Sequence, residues 1–355
     1  MLNSFISGTG SLNCCSTTPP LTYVPDDNFE TYLENNGMGD GIALNDYVYT
    51  SAIDTATILS VSNQSISDLT GIEDFTALTF LNCGGNLLTS LDVSQNTALD
   101  TLGCYTNQLT NLDVSQNTAL TYLECSGNSL TSLNVSQNTA LTVLWCDDNQ
   151  LTTLDVSTNV LLEELVCSGN QLTTLDVSAN TNLTSLDCDD NNLTNLNIST
   201  NTSLFNLDCS SNNLTSLNVS GASVLNNLYC SNNNLISLDV SSATAVRSFD
   251  CMNNQLTSLD VRNGNNINFY NFYTTGNPNL TCINVDDFQY SLFNWTNIDP
   301  QHYFSNNCPP PSSIEEHTTN KELLRITDIL GRETKNNPIF YIYDDGTVEK
   351  KIIIE

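Results

Sequence analysis

The stretch LTFLNCGGNLLTSLDVSQNTA, residues 78–98, is followed at once by LDTLGCYTNQLTNLDVSQNTA, residues 99–119. Leu78, Leu81, Leu88, Leu91 and Val93 return as Leu99, Leu102, Leu109, Leu112 and Val114, while Asn86 and Asn96 return as Asn107 and Asn117. Cysteine marks the period: Cys83, Cys104, Cys125, Cys146, Cys167, Cys188, Cys209, Cys230 and Cys251 stand 21 residues apart throughout. Self-similarity at a fixed period of this length predicts a solenoid, in which each unit forms one coil and buries its apolar face against its neighbours.

The pattern L-x-x-L-x-L-x-x-N-x-L, with cysteine at the last aliphatic strand position, resembles the leucine-rich repeats over residues 58–285. Each unit is also nested, because Leu78-x-x-Leu81-x-Cys83-x-x-Asn86 is followed by Leu88-x-x-Leu91-x-Val93-x-x-Asn96. That is similar to the nested bacterial subclass, and it implies a mainly β, right-handed solenoid with a parallel sheet and a strand-like segment in both halves of each coil.

Alternation turns Leu81 and Cys83 inward and residue 82 outward, so leucines stack on leucines from coil to coil. Asn recurs at Asn86, Asn107, Asn128, Asn149, Asn170, Asn191, Asn212, Asn233 and Asn254, where an amide bonds the backbone of adjacent turns as a structural ladder. Parallel strands lie close enough for disulfides between cysteines of neighbouring coils. The odd number of sites and their inward placement favour free thiols acting as small hydrophobes instead.

A solenoid needs closed ends. In residues 1–57, Pro25-Asp26-Asp27 followed by Phe29, Tyr32, Leu33 and Gly37 reads as a capped amphipathic helix. The period is abandoned after residue 277, and a C-terminal cap is expected over 286–308, with Phe288, Tyr290, Phe293, Trp295 and Phe304 as its cover. Cys282 and Cys308 are expected to close it as a disulfide, which implies an oxidising compartment. The polar, proline-rich stretch 309–320 reads as a linker, and 321–355 as a small β module built around Asp345-Gly346. This tail resembles the C-terminal sorting signal of the type IX secretion system of Bacteroidota, in its Asp328-x-Leu330-Gly331-Arg332 element and its final lysine-plus-aliphatic strand. The resemblance implies passage to the cell surface or medium with the secretion machinery as a partner. The first 20 residues lack the basic and apolar regions of a signal peptide, so an exported chain is expected to have a true beginning elsewhere.

The 355 residues carry 39 acidic and 8 basic side chains, a formal net charge of −31. Such a chain repels phosphate backbones, which argues against nucleic acid as a partner. No apolar run is long enough to span a bilayer. His302 and His317 lie outside the coils, and no H-E-x-x-H, G-x-S-x-G or phosphate-binding glycine loop occurs, so the chain is not expected to be an enzyme.

Because the coils align with one another, variation among them separates scaffold from surface. The column at 82 reads Asn82, Gly103, Glu124, Trp145, Val166, Asp187, Asp208, Tyr229 and Asp250, whereas the outward column at 92 is Asp or Asn throughout. The first-strand face is therefore the candidate binding face, carried by Phe80, Tyr105, Tyr122, Glu124, Trp145, Asp147, Asp187, Asp189, Asp208 and Tyr229, with its aromatics expected to be exposed. The function expected is a secreted or cell-surface binding module for protein interaction or adhesion; a glycan-binding module, a calcium-dependent adhesin and a passive spacer are the alternatives. No cofactor is expected, with calcium at Asp187, Asp189 and Asp208 as a weak candidate.

Overall fold

The structure is a computed structural model that describes residues 19–309 and, in the tail, three strands. It divides into two units, Met1–Cys308 and Pro309–Glu355. The expected residues 1–18, the linker at 310–320 and the Asp328–Arg332 element lie outside the described residues, as do Cys14 and Cys15.

In the larger unit, one three-residue strand per coil joins an 11-stranded parallel sheet running from Ile58–Ser60 to Asn271–Tyr273. Register is unbroken: Leu81 faces Leu102, Leu102 faces Leu123, and Leu123 faces Leu144. Strands this short gain little alone, and the stack supplies what they lack. Each central leucine is buried, and full burial of such a side chain contributes about 1.5 to 3 kcal/mol. A sheet of parallel neighbours also pairs strand backbone groups that a single coil leaves open.

The second half of the coil departs from expectation. Across most of the array it is irregular, with isolated bridges between Asp92 and Asp113 and between Asn197 and Asn218. True strands appear in that half only at the C-terminal end, where Ser237–Asp239, Ser258–Asp260, Cys282–Asn284 and Tyr303–Ser305 form a four-stranded parallel sheet. The change coincides with a change of sequence. Asn96, Asn117, Asn138, Asn159, Asn180 and Asn201 form a second, fully buried column, and Ala222 and Ala243 occupy its next two positions.

Both asparagine columns are hydrogen-bonding ladders. Asn107 donates from Nδ2 to the carbonyls of Cys83 at 3.1 Å and Cys104 at 3.0 Å, and its Oδ1 accepts from Leu88 N at 3.0 Å. Asn117, in the second column, donates to Val93 O and Asn96 O, both at 2.9 Å. The first ladder runs one step past the predicted set, because Asn277 donates to Cys251 O and Thr274 O. The nine repeat cysteines are free and buried.

At the N-terminal end the helix Asp27–Asn35 covers the first coil. Asp26 caps it, accepting from Asn28 N and Phe29 N at 3.0 Å, while its other oxygen accepts from Ser67 N and Ser67 Oγ at 2.8 Å. One carboxylate thus starts the helix and ties it to the first coil. Burial works against its charge, and the hydrogen bonds from Ser67, Phe29 and Asp68 together outweigh it, so the Asp26 carboxyl is held below its ordinary value.

The C-terminal cap is built differently from the expectation. Trp295 and Phe304 are buried, but Phe288 is exposed and Phe293 is 78% exposed. The seven-residue helix Phe288–Asn294 turns Ser291 inward, so Phe288 and Phe293 face out, while Tyr290 is half-buried and donates its hydroxyl to Ile267 O at 3.0 Å. The coils supply the missing rings: Trp295 stacks on Phe272 with centroids 3.9 Å apart, and Phe269 and Phe249 extend the cluster. Cys282 and Cys308 are joined as a disulfide, Cα to Cα 5.8 Å. His302, buried beside Asp299, fixes the same region. In the smaller unit the strands Leu323–Thr327, Ile339–Tyr343 and Val348–Lys351 form an antiparallel sheet.

Candidate functional site

The outward column at residue 82 is continuous in space. Gly103 pairs with Glu124, Glu124 with Trp145, Trp145 with Val166, Val166 with Asp187, Asp187 with Asp208, and Asp208 with Tyr229. Phe80 and Tyr122 stand in the neighbouring column as strand residues. Tyr105, Asp147 and Asp189 follow the strands on the other flank.

None of the predicted aromatics is fully exposed. Phe80, Tyr105, Tyr122, Trp145 and Tyr229 are all half-buried, because a ring wider than the ~4.8 Å spacing between strands must lie on the adjacent coil. Tyr105 rests against Gly84, leaving no room there for a Cβ, and lies beside Gly103. Tyr122 meets Trp145 edge to face with centroids 5.6 Å apart. The polar ends of that pair are held by carboxylates: Tyr122 Oη donates to Glu124 Oε2 and Trp145 Nε1 to Glu164 Oε1, both at 3.1 Å. Tyr229 is held by the hydroxyl of Ser248 at 3.0 Å. The result is a shelf of fixed rings, pre-organised for contact.

The acidic members are equally ordered. Ser126 Oγ donates to Asp147, and Asp208 accepts from Ser210 N at 3.0 Å. Burial, with Asp189 and Asp208 nearby, pushes the Asp187 carboxyl up to about 7. Burial also raises Asp189, and it raises Glu124 and Asp250 farther along the face. Asp187, Asp189 and Asp208 do not form the cation cage considered from sequence. Among the described residues no group of three or more His, Cys, Asp or Glu side chains is placed to hold a metal ion. The Asp187 and Asp189 carboxyls share a side-chain hydrogen bond, but no third ligand joins them to complete a cage.

The cysteine column lies directly beneath this face. The functional domain of InlJ from Listeria monocytogenes, described as including a cysteine ladder, is 34% identical to the chain; the match has a TM-score of 0.61 and covers 81% of this chain and 70% of that one. The chain is a leucine-rich-repeat protein related to the listerial internalins. Internalin J of the same species is also 39% identical over 74 residues, 21% of this chain, and the match spans only 8% of that protein's length. A leucine-rich-repeat protein of Leptospira interrogans, 23% identical, shares the fold with a TM-score of 0.53 over 66% of this chain and 62% of its own. No protein-family profile matches the chain. Within this chain the inward columns repeat from coil to coil, whereas the outward first-strand residues change.

Sequence reasoning missed the buried Asn96 column, although its asparagines recur with the same period as the first. It also missed the glycine floor under Tyr105, for which the signal was Gly84 and Gly103 flanking one aromatic position on adjacent coils. Among the described residues no helix is long and apolar enough to cross a membrane.

Proposed function

We propose that the chain is a secreted or surface-displayed module that recognises a protein through the outward face of the 11-stranded sheet. One observation carries this reading: the outward columns change at nearly every coil while the inward columns repeat, and both belong to the same three-residue strands. A surface kept for solubility alone has no use for a Tyr122 and Trp145 pair pinned in place by Glu124 and Glu164, and fixed aromatics are what binding hot spots are made of. The chemistry is recognition rather than catalysis, since the face has carboxylates but lacks the convergent acid, base and nucleophile of an active site. The tail serves export on this reading, supported by its likeness to a type IX sorting signal.

The test is capture of cell-surface proteins on immobilised chain, with Tyr122→Ala/Trp145→Ala beside the wild type and a glycan array in parallel. Loss of a captured protein in the double variant supports the reading. Capture that survives unchanged removes it, and binding confined to the glycans replaces protein by polysaccharide as the target.

A further inference from the structure

On the first-strand face Glu124, Asp147, Glu164, Asp187, Asp189 and Asp208 lie on five consecutive coils. Four strand spacings of ~4.8 Å separate Glu124 from Asp208, so the acidic strip is about 19 Å long. Among the described residues no lysine or arginine pairs with it. The ion pair among them is Arg262 with Asp260, joined by His302 with Asp299 only when the imidazole is protonated, and both lie outside this strip. At the N-terminal end of the strip stand the Tyr122 and Trp145 rings, whose faces attract cations.

We propose that this strip docks an extended, lysine- and arginine-rich protein segment, with its cations along the carboxylates and one guanidinium or apolar side chain on the Tyr122 and Trp145 shelf. The inference rests on the binding reading above and names the partner's chemistry. Charge sign selects a cationic occupant and rejects nucleic acid and anionic lipid. Spacing then selects among cations. A metal ion needs three or more converging ligands, and among the described residues no such group exists; a row of separate cationic side chains needs carboxylates distributed from coil to coil, as Glu124, Asp147, Glu164, the Asp187 and Asp189 pair and Asp208 are. An extended segment advances ~3.3 Å per residue, so about six residues cover the strip. The raised Glu124, Asp187 and Asp189 carboxyls register the same unrelieved burial and crowding, which a fixed cation would offset.

The experiment uses the full chain and a fluorescein-labelled peptide of about twelve residues that alternates Lys or Arg with Gly and Leu. A Glu-for-Lys/Arg peptide is the control, and anisotropy is read at physiological ionic strength. Two variants each replace three carboxyls by amides. E164Q/D187N/D208N keeps the acceptors used by Trp145, Asp189 and Ser210; D113N/D155N/D176N alters the uniform column on the opposite half of the coil. The proposal predicts that the basic peptide binds, that the face variant weakens it roughly tenfold or more, and that the other variant changes it less than about twofold. Equal weakening by both variants reduces the effect to net charge and overturns the proposal, as does absence of binding. If the peptide fails to bind while Tyr122→Ala/Trp145→Ala still abolishes capture of a surface protein, the cationic partner is wrong and the binding face stands. Equal binding of a chitosan oligomer that competes for the face overturns the protein segment in favour of an amino-polysaccharide.

Discussion

Trp145 donates its indole N–H to Glu164 Oε1 at 3.1 Å across adjacent strands, while its ring meets Tyr122 on the strand before. One side chain therefore links three coils without entering the core. Such a residue is placed for contact more than for stability, and the two roles separate by substitution. Trp145→Ala is expected to cost less than about 2 kcal/mol in urea unfolding, since only part of its area is buried. Leu144→Ala, one residue away and fully buried, is expected to cost about 2 to 5 kcal/mol. A Trp145→Ala loss as large as that of Leu144→Ala places the ring in the structural core and removes it from the face.

Asp187 makes a pH-dependent prediction. Its folded carboxyl titrates at about 7, against an ordinary value of 3.8, chiefly because burial disfavours the charge. The folded state then holds the proton more tightly than the unfolded chain, so this group destabilises the fold when ionised, and the cost fades as pH falls from above 7 toward 4. Asp187→Asn is expected to raise the melting temperature at pH 8 and to change it far less at pH 4. A shift of the same size at both values sinks this account of the carboxyl.

His302 runs the other way. Burial lowers it from 6.5, against the opposing pull of Asn277 O and Asp299. The unfolded chain then binds the proton more readily, and stability from this group is lost as pH falls below 6.5. His302→Gln, which cannot charge, is expected to flatten the decline in melting temperature between pH 7 and 5. A decline as steep as the wild type's assigns the acid sensitivity to other groups.

The inward columns were legible because leucine at fixed spacing has one place to go in a stacked coil, and Asn107 had to satisfy backbone that no strand partner reached. The facing direction of Trp145 was legible for the same reason. Its burial was not: alternation gives the side of the sheet on which a ring stands, and not how far it leans over the next strand. The cap shows another limit. Phe293 and Trp295 are both aromatic and two residues apart, yet one is exposed and the other buried, because a single short helix decides which faces the last coil. The second half of each coil looked strand-like from its alternation alone, but the buried asparagines of the Asn96 column accompany an irregular path there.

Asn149 measures what the ladder contributes. It donates to Cys125 O at 3.1 Å and Cys146 O at 3.2 Å and accepts from Leu130 N at 3.0 Å, all in the interior. Asn149→Ala leaves Leu130 N without its acceptor and removes one of the two asparagine donors from each carbonyl, since Cys125 O keeps Asn128 and Cys146 O keeps Asn170; a buried orphan costs about 1 to 3 kcal/mol. Destabilisation of roughly 2 kcal/mol is expected, above that of a surface Asn such as Asn134. Equal effects at Asn149 and Asn134 rule out a structural ladder at this column.

The cysteine column makes the sharpest chemical prediction. Cys83 and Cys125 are wholly buried, and burial pushes their thiols up to about 12. Because the thiolate is the reactive species, such a group at pH 8 is ionised in roughly one molecule in ten thousand. Burial adds a second barrier by denying the reagent a path. Iodoacetamide applied to the native protein is therefore expected to leave the nine repeat cysteines unmodified, as read by mass spectrometry of their peptides, and to label all of them in urea. Cys125→Ala is expected to cost only about 1 to 2 kcal/mol, the price of a small buried group. Cys125→Asp carries a charge to the same place and is expected to abolish folding of the central coils. Rapid native labelling at Cys125, or tolerance of the aspartate, places that side chain in contact with solvent and undoes the stacked core on which the outward face depends.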